Sequence, residues 1–242
     1  MANKKKPTAI REEQVTIPTE LTAMNFYGLD LDEDQKNFVR TIFDPDIDIV
    51  FCNARSGSGK TVTALGASKL LVKSGQFTEI QYLMIPHSEK ESRCGYRPGS
   101  VEEKLAPYFF PLYDAAPTLD INPFEDINTP TDDWKATGNG YISCVTDIWM
   151  RGRTIPPGTI LIVDECQNGF VDQIKTILTR VSDGCKVICI GQKEQCDLVK
   201  NASKSGFIPY LEHFKDQERC AVCELHTNHR GWISTWADAL ES

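Results

Sequence analysis

The chain has 242 residues, of which 40% are hydrophobic and 25% charged, and its formal net charge is −8. That length suits one domain of ordinary size, and the acidic balance argues against a surface covered in nucleic-acid-binding charge, though not against a local basic groove. No apolar run approaches a membrane span and no secretory h-region opens the chain, so a cytoplasmic protein with nine reduced cysteines is expected, not a disulfide framework.

Residues 1–20 carry Lys4-Lys5-Lys6 and Pro7 with little apolar periodicity, which predicts a solvated tail. The remainder, 21–242, reads as one domain. A helix should begin near Asp32, with Phe38, Val39, Ile42 and Phe43 on one face. Asp32 and Gln35 have the spacing of a capping box. The Gln35 amide could instead read an adenine edge, and the two roles compete for one side chain. The apolar run Ile47 to Cys52 leads into Ala54-Arg55-Ser56-Gly57-Ser58-Gly59-Lys60-Thr61, and a helix-like segment follows to Lys73. Strand, glycine-rich turn and helix form the setting of a phosphate-binding P-loop. Backbone N–H groups and the helix N-terminus would cradle phosphates, Lys60 would reach the outer ones, and the Thr61 hydroxyl would ligate Mg²⁺. Ala54 stands where Gly is usual, at a position that mainly needs a small residue.

Ile80 to Ile85 reads as the next strand, and Pro86 to Ser100 as a loop. Val101 to Ala116 has helical character that Pro107 and Pro111 must break or kink. Residues 117–140 form an acidic, Pro- and Thr-containing stretch, expected as a loop insertion over one edge of a sheet. Tyr141 to Val145 is strand-like and precedes Met150-Arg151-Gly152-Arg153-Thr154. Thr159 to Val163 is a continuous apolar run of the kind buried on both faces in a parallel sheet, and it ends in Asp164-Glu165. A helix over Phe170 to Val181, a strand over Lys186 to Ile190, a helix over Pro209 to Phe214, a strand over Cys220 to Leu225 and a final helix over Trp232 to Leu240 complete the pattern. This alternation predicts an α/β fold with a parallel central sheet flanked by helices.

In such a sheet ligands sit at the carboxyl ends of the strands. Asp164 would hold Mg²⁺ through a water, and Glu165 would orient and deprotonate an attacking water. The bland alternative is that one carboxylate caps the following helix. Gln195 is a candidate γ-phosphate sensor or holder of the water, against a plain surface glutamine. Hydrolysis also needs positive charge near the transferring phosphoryl group. Arg151, Arg153 and Arg230 are the candidates, one of them as an arginine finger from a neighbouring subunit, with surface ion pairing as the alternative for each. Cys220, Cys223, His226 and His229 are spaced too tightly for a zinc finger, and strand residues three apart face opposite ways. Trp232 and Trp236, four apart on the last helix, are expected in core packing. Trp134 and Trp149 are better placed for base stacking.

The segment Pro98 to Tyr108, continuing to Pro111-Leu112-Tyr113-Asp114, together with Met150 to Thr154, Asp164-Glu165-Cys166-Gln167-Asn168, Gly191 to Leu198 and Ser205-Gly206-Phe207, resembles the PhoH, or phosphate-starvation-inducible, P-loop ATPases. The resemblance runs from about Leu31 to the C-terminus, and the compact form looks like versions carried by bacteriophages. It implies a single RecA-like lobe, superfamily 1 helicase-like, that binds ATP with Mg²⁺ and hydrolyses it. It also implies RNA or other single-stranded nucleic acid as partner, and a homo-oligomer such as a hexameric ring in which an arginine acts in trans. Some family members join this lobe to a PIN nuclease domain. There is no room for one here, so nuclease activity is not expected. Three departures stand out: Ile85 where an Arg is frequent, Gln192 in place of the usual acidic residue, and a family Arg that aligns with His229 or Arg230. A single lobe cannot clamp and move a strand by itself, which makes hydrolysis a firmer expectation than unwinding. Two other readings stand beside it: a small-molecule kinase resembling thymidine kinases, and a nucleotide-binding switch without turnover.

Overall fold

In the computed structural model, which describes residues 26–85, 106–128, 139–150, 152–193 and 205–238, seven strands form one sheet. In chain order they are β1 (Ile49–Ala54), β2 (Glu79–Met84), β3 (Ile127–Asn128), β4 (Ile142–Val145), β5 (Thr159–Asp164), β6 (Lys186–Gly191) and β7 (Cys220–Leu225). Across the sheet the order is β3-β4-β2-β5-β6-β1-β7, and every pairing is parallel. The expected single α/β domain with a parallel sheet is what the chain adopts.

The strand sequences explain the two-sided burial. In β5 all six residues of Thr-Ile-Leu-Ile-Val-Asp are buried, with Ile160 and Ile162 facing one layer and Leu161 and Val163 the other. On the first face lie helices α1 (Glu33–Phe43) and α2 (Lys60–Lys73), contributing Phe38, Val39, Ile42, Ala64, Leu65 and Leu71. The helices Val171–Leu178 and Phe207–Phe214 cover the second face with Ile174, Ile177, Phe207 and Leu211. Each fully buried aliphatic or aromatic side chain contributes roughly 1.5–3 kcal/mol of transfer free energy, so the two layers hold the carboxyl edge of the sheet firmly. The N-terminus of α1 is fixed as its sequence predicts. Asp32 Oδ1 accepts the Gln35 N–H at 2.8 Å, and Gln35 Oε1 accepts the Asp32 N–H at 3.1 Å.

Three expectations need correction or refinement. Within the described part of Val101–Ala116, Ala106–Phe109 is a 3₁₀ turn and Phe110–Ala115 a short helix, with Pro111 in the first turn where its missing N–H costs nothing. The 117–140 stretch is more than a loop. Ile127–Asn128 is the edge strand β3, and the Asn128 amide donates to the Gly140 carbonyl at 2.7 Å while accepting its N–H at 3.0 Å. Trp232 and Trp236 are not core residues: they are 74% and 66% exposed, with ring centroids 6.4 Å apart. Their helix, Trp232–Asp238, is tethered by polar contacts instead. Asn228 Nδ2 donates to Ser234 Oγ at 2.8 Å, and Arg55 Nε lies 3.5 Å from Asp238 Oδ2. A four-residue spacing defines a helix face but not what covers it. Residues 1–20, the Pro98–Leu105 part of the family-like segment, Trp134, Arg151 and Gln195 lie outside the described residues, as does the Trp149 side chain. Among the described residues no helix is long and apolar enough to cross a membrane.

The described cysteines are buried free thiols, including Cys52, Cys144 and Cys189 in the strands. Burial pushes the Cys144 thiol up to about 12, whereas an unfolded thiol ionises near 8.5. The folded chain therefore keeps a proton that the unfolded chain gives up. The stability this contributes is complete below about pH 8.5 and is lost as pH rises towards 12. Relative to Cys144→Ala, the wild type should lose about 2 kcal/mol of stability between pH 8 and 10. Urea unfolding of both proteins in reducing buffer measures this, and contributions common to the two cancel.

Candidate nucleotide site

Three neighbouring strands, β1, β6 and β5, end side by side, and each delivers a polar segment to the same edge. From β1 comes the loop Ala54 to Gly59. Gly57 and Gly59 have φ of 73° and 75°, the left-handed region that glycine adopts without strain. A side chain is excluded at both by crowding as well: a Cβ on Gly57 would lie 2.5 Å from Asn228 Oδ1, and one on Gly59 would lie 2.8 Å from Gln35 Nε2. Ala54 is buried at the end of β1, and its small side chain fits where the usual glycine would stand.

Two carbonyls of the loop are braced from outside. Gln35 Nε2 donates to the Ser58 carbonyl at 2.9 Å, and the His229 N–H donates to the Gly57 carbonyl at 2.9 Å. The His229 ring in turn lies 2.9 Å from Asp32 Oδ2. Gln35 thus closes the capping box and holds the loop with the same amide. Arg55 is exposed, and its N–H donates to the Leu225 carbonyl on β7 at 3.0 Å. Ser56 is half-buried and Ser58 buried beside it. These contacts leave the loop's concave side to the N-terminus of α2, where a phosphate would meet N–H groups and the positive end of the helix.

Lys60 and Thr61 open α2 and face the end of β5. Thr61 Oγ1 donates to Asp164 Oδ2 at 3.0 Å. The buried Tyr82 hydroxyl donates to the same oxygen at 2.6 Å, and the Glu165 N–H donates to Oδ1 at 2.9 Å. Asp164 is fully buried; burial and the neighbouring Glu165 charge push its carboxyl up, against the pull of Lys60. A hydroxyl and a carboxylate meeting at 3.0 Å form an all-oxygen donor set, which suits a hard cation such as Mg²⁺ that keeps most of its waters. The residues expected to hold Mg²⁺ therefore fit it.

Glu165 sits in the left-handed region at φ 55°, an uncommon conformation for a residue with a side chain. Its Oε1 lies 3.6 Å from Lys60 Nζ, and its Oε2 accepts from Gln167 Nε2 at 2.6 Å. Gln167 Oε1 accepts the Gln192 N–H at 3.1 Å, joining the ends of β5 and β6. Lys193, next along, donates its N–H to Asn53 Oδ1 at 3.1 Å, joining β6 to β1.

Of the arginines, Arg230 stands beside the loop: its N–H donates to Asn228 Oδ1 at 2.9 Å, and its Cγ would be 3.2 Å from a Gly57 Cβ. Arg153 lies in the turn after the helix Asp147–Met150: its N–H donates to the Met150 carbonyl at 3.3 Å, and two residues on Ile155 pairs with Val181, beyond the helix Val171–Leu178. Cys220 and Cys223 pack into opposite layers of the core, while His226 pairs with Asp34 at 2.9 Å and Glu224 at 3.1 Å. Sequence reasoning did not assign Tyr82, Gln167 or Asn228 a part in this site, and it weighed His229 only as the alternative to Arg230. Gln167 carried a signal, two residues past the carboxylate, but its partner on β6 could not be read from spacing.

A family model for PhoH-like proteins matches residues 30–230. The chain belongs to the PhoH-like family. Over 194 residues it is 36% identical to a PhoH-like protein of Mycobacterium leprae (strain TN), an alignment that takes in 79% of this chain and 52% of that one. It is 33% identical over 196 residues to Protein PhoH2 of Bacillus subtilis (strain 168), with 81% and 43% of the two chains covered. This PhoH-like chain thus spans about half the length of the curated relatives it matches. Among solved structures, the large terminase of a thermophilic bacteriophage superposes on it with a TM-score of 0.50 at 14% identity, over 81% of this chain and 46% of the terminase, which is a likeness of fold. Family, fold and the loop at the end of β1 give this PhoH-like chain a P-loop on a parallel α/β sheet.

Proposed function

We propose that this PhoH-like protein binds ATP with Mg²⁺, hydrolyses it, and couples hydrolysis to RNA or another single-stranded nucleic acid. The observation that carries the first part is the meeting of Lys60, Thr61, Asp164 and Glu165 at one edge of the sheet. With the triphosphate along the loop, the N–H groups of Ser56 to Thr61 hold the phosphate oxygens and Lys60 leaves Glu165 for the outer phosphates. Thr61 and Asp164 would hold the cation, which would neutralise charge developing on the phosphates. Glu165, released from Lys60, orients and deprotonates the attacking water. Arg230, beside the loop, supplies positive charge from within the chain, while Arg151 and Arg153 serve a neighbouring subunit in a ring. Gln195 senses the γ-phosphate.

The test is phosphate release from ATP with RNA, with single-stranded DNA and with neither, for wild type and Lys60→Ala. Removing one preorganised cation from the transferring phosphoryl group should lower the rate by about 10²–10³-fold. A wild type no faster than Lys60→Ala in all three conditions would sink the reading. Stimulation by neither polymer would remove its nucleic-acid half.

A further inference from the structure

Gln167 is not among the phosphate- and cation-holding residues proposed above, yet the donor and the acceptor of its side-chain amide are both spent inside the site. It is buried, it donates to Glu165 Oε2 at 2.6 Å, and it accepts the Gln192 N–H at 3.1 Å. The distance to the carboxylate is short for a neutral donor, as befits a charge-assisted bond. Glu165 itself is held in a backbone conformation that residues with side chains seldom adopt, and its other oxygen faces Lys60. Once Lys60 turns to phosphate, the Gln167 amide still fixes where the Glu165 carboxylate points. A base must be placed to within a few tenths of an ångström to be useful, so a group that fixes its orientation bears on rate and not on affinity.

We propose that Gln167 is a positioning residue for Glu165, and that it ties the aim of this carboxylate to the end of β6. This rests on the reading of Glu165 as the residue that activates water. The amide does two jobs with two different atoms, and they can be separated. In Gln167→Glu the oxygen that receives the Gln192 N–H survives, while the donor to Glu165 is replaced by a like charge. In Gln167→Met the length is kept and both bonds are lost.

The experiment measures kcat and KM for ATP, the Kd of a non-hydrolysable ATP analogue, and the thermal midpoint, for wild type, Gln167→Glu, Gln167→Met, Glu165→Gln and the double variant Glu165→Gln/Gln167→Met. The expected result is a fall in kcat of tenfold or more in both Gln167 variants, with KM and the analogue's Kd within threefold of wild type. In the Glu165→Gln background, the Gln167→Met change should have no further effect on kcat, because a residue acting through Glu165 has nothing left to position. An unchanged kcat, a loss confined to KM, or a full additional loss in the double variant would overturn the proposal. So would failure of both Gln167 variants to fold, which would make the residue structural. If the wild type itself releases no phosphate above Lys60→Ala, the ATPase reading has failed first and this one falls with it.

Discussion

Glu165→Gln should lower steady-state phosphate release by about 10²–10⁴-fold, the usual contribution of a positioned general base, while leaving ATP binding in place. The variant keeps the volume of the side chain and still offers an oxygen to Gln167, so the backbone turn at Glu165 has no reason to change. It loses the negative charge that faces Lys60 at 3.6 Å. Lys60 is then free to meet phosphate without first leaving an ion pair, and affinity for ATP should be equal to or tighter than that of the wild type. Binding of a fluorescent ATP analogue, read beside phosphate release, checks both halves. A variant that hydrolyses ATP within threefold of the wild-type rate would remove Glu165 from the chemistry and return the carboxylate to a plain structural role.

Phe207→Ala should destabilise the fold by about 3–5 kcal/mol, the range for emptying a large buried aromatic site. Phe207 is fully buried between the sheet and its own helix, with its ring centroid 6.3 Å from that of Phe51 on β1. Its ring also closes the space over Gly191, where a Cβ would meet three ring atoms at 2.9–3.0 Å. Gly191→Ala should therefore overpack the site and cost about 1–3 kcal/mol. The two effects are linked through one contact. Gly191→Ala in a Phe207→Leu background should cost less than in wild type, by an interaction energy on the order of 1 kcal/mol. Urea unfolding of the four proteins of this cycle gives the answer, and strict additivity would contradict the packing of Phe207 against the end of β6.

Much of this was legible because local chemistry and global fold agree. Thr159 to Val163 reads as a doubly buried strand, and it lies within β5, all six residues of which are buried. Asp32 and Gln35 have capping-box spacing, and both bonds form. The P-loop needed only its strand, its glycines and its helix. What escaped was contact between residues far apart in the chain. That Asn228 and His229 press against Gly57, or that Tyr82 shares the Asp164 carboxylate with Thr61, depends on which strands are neighbours, and no local period carries that information. The tryptophans of the last helix failed for another reason: an apolar spacing shows that a face exists, and burial depends on whether another element reaches it. The 117–140 stretch hid β3 because a two-residue strand leaves no alternation to detect.

The strand that bears the P-loop lies between β6 and β7, with Ile49 opposite Val187 on one side and Cys220 on the other. Both of its partners come from the last quarter of the chain. As the polypeptide leaves the ribosome, β1 and the loop emerge early but have no sheet to join until residues beyond about 190 have followed and closed long loops back to it. β2, β4 and β5 can pair among themselves well before that point. The loop therefore gains its full support only after β7 has been made, and a fragment that stops short of β7 would carry the whole phosphate-binding motif with one side of its strand unsupported.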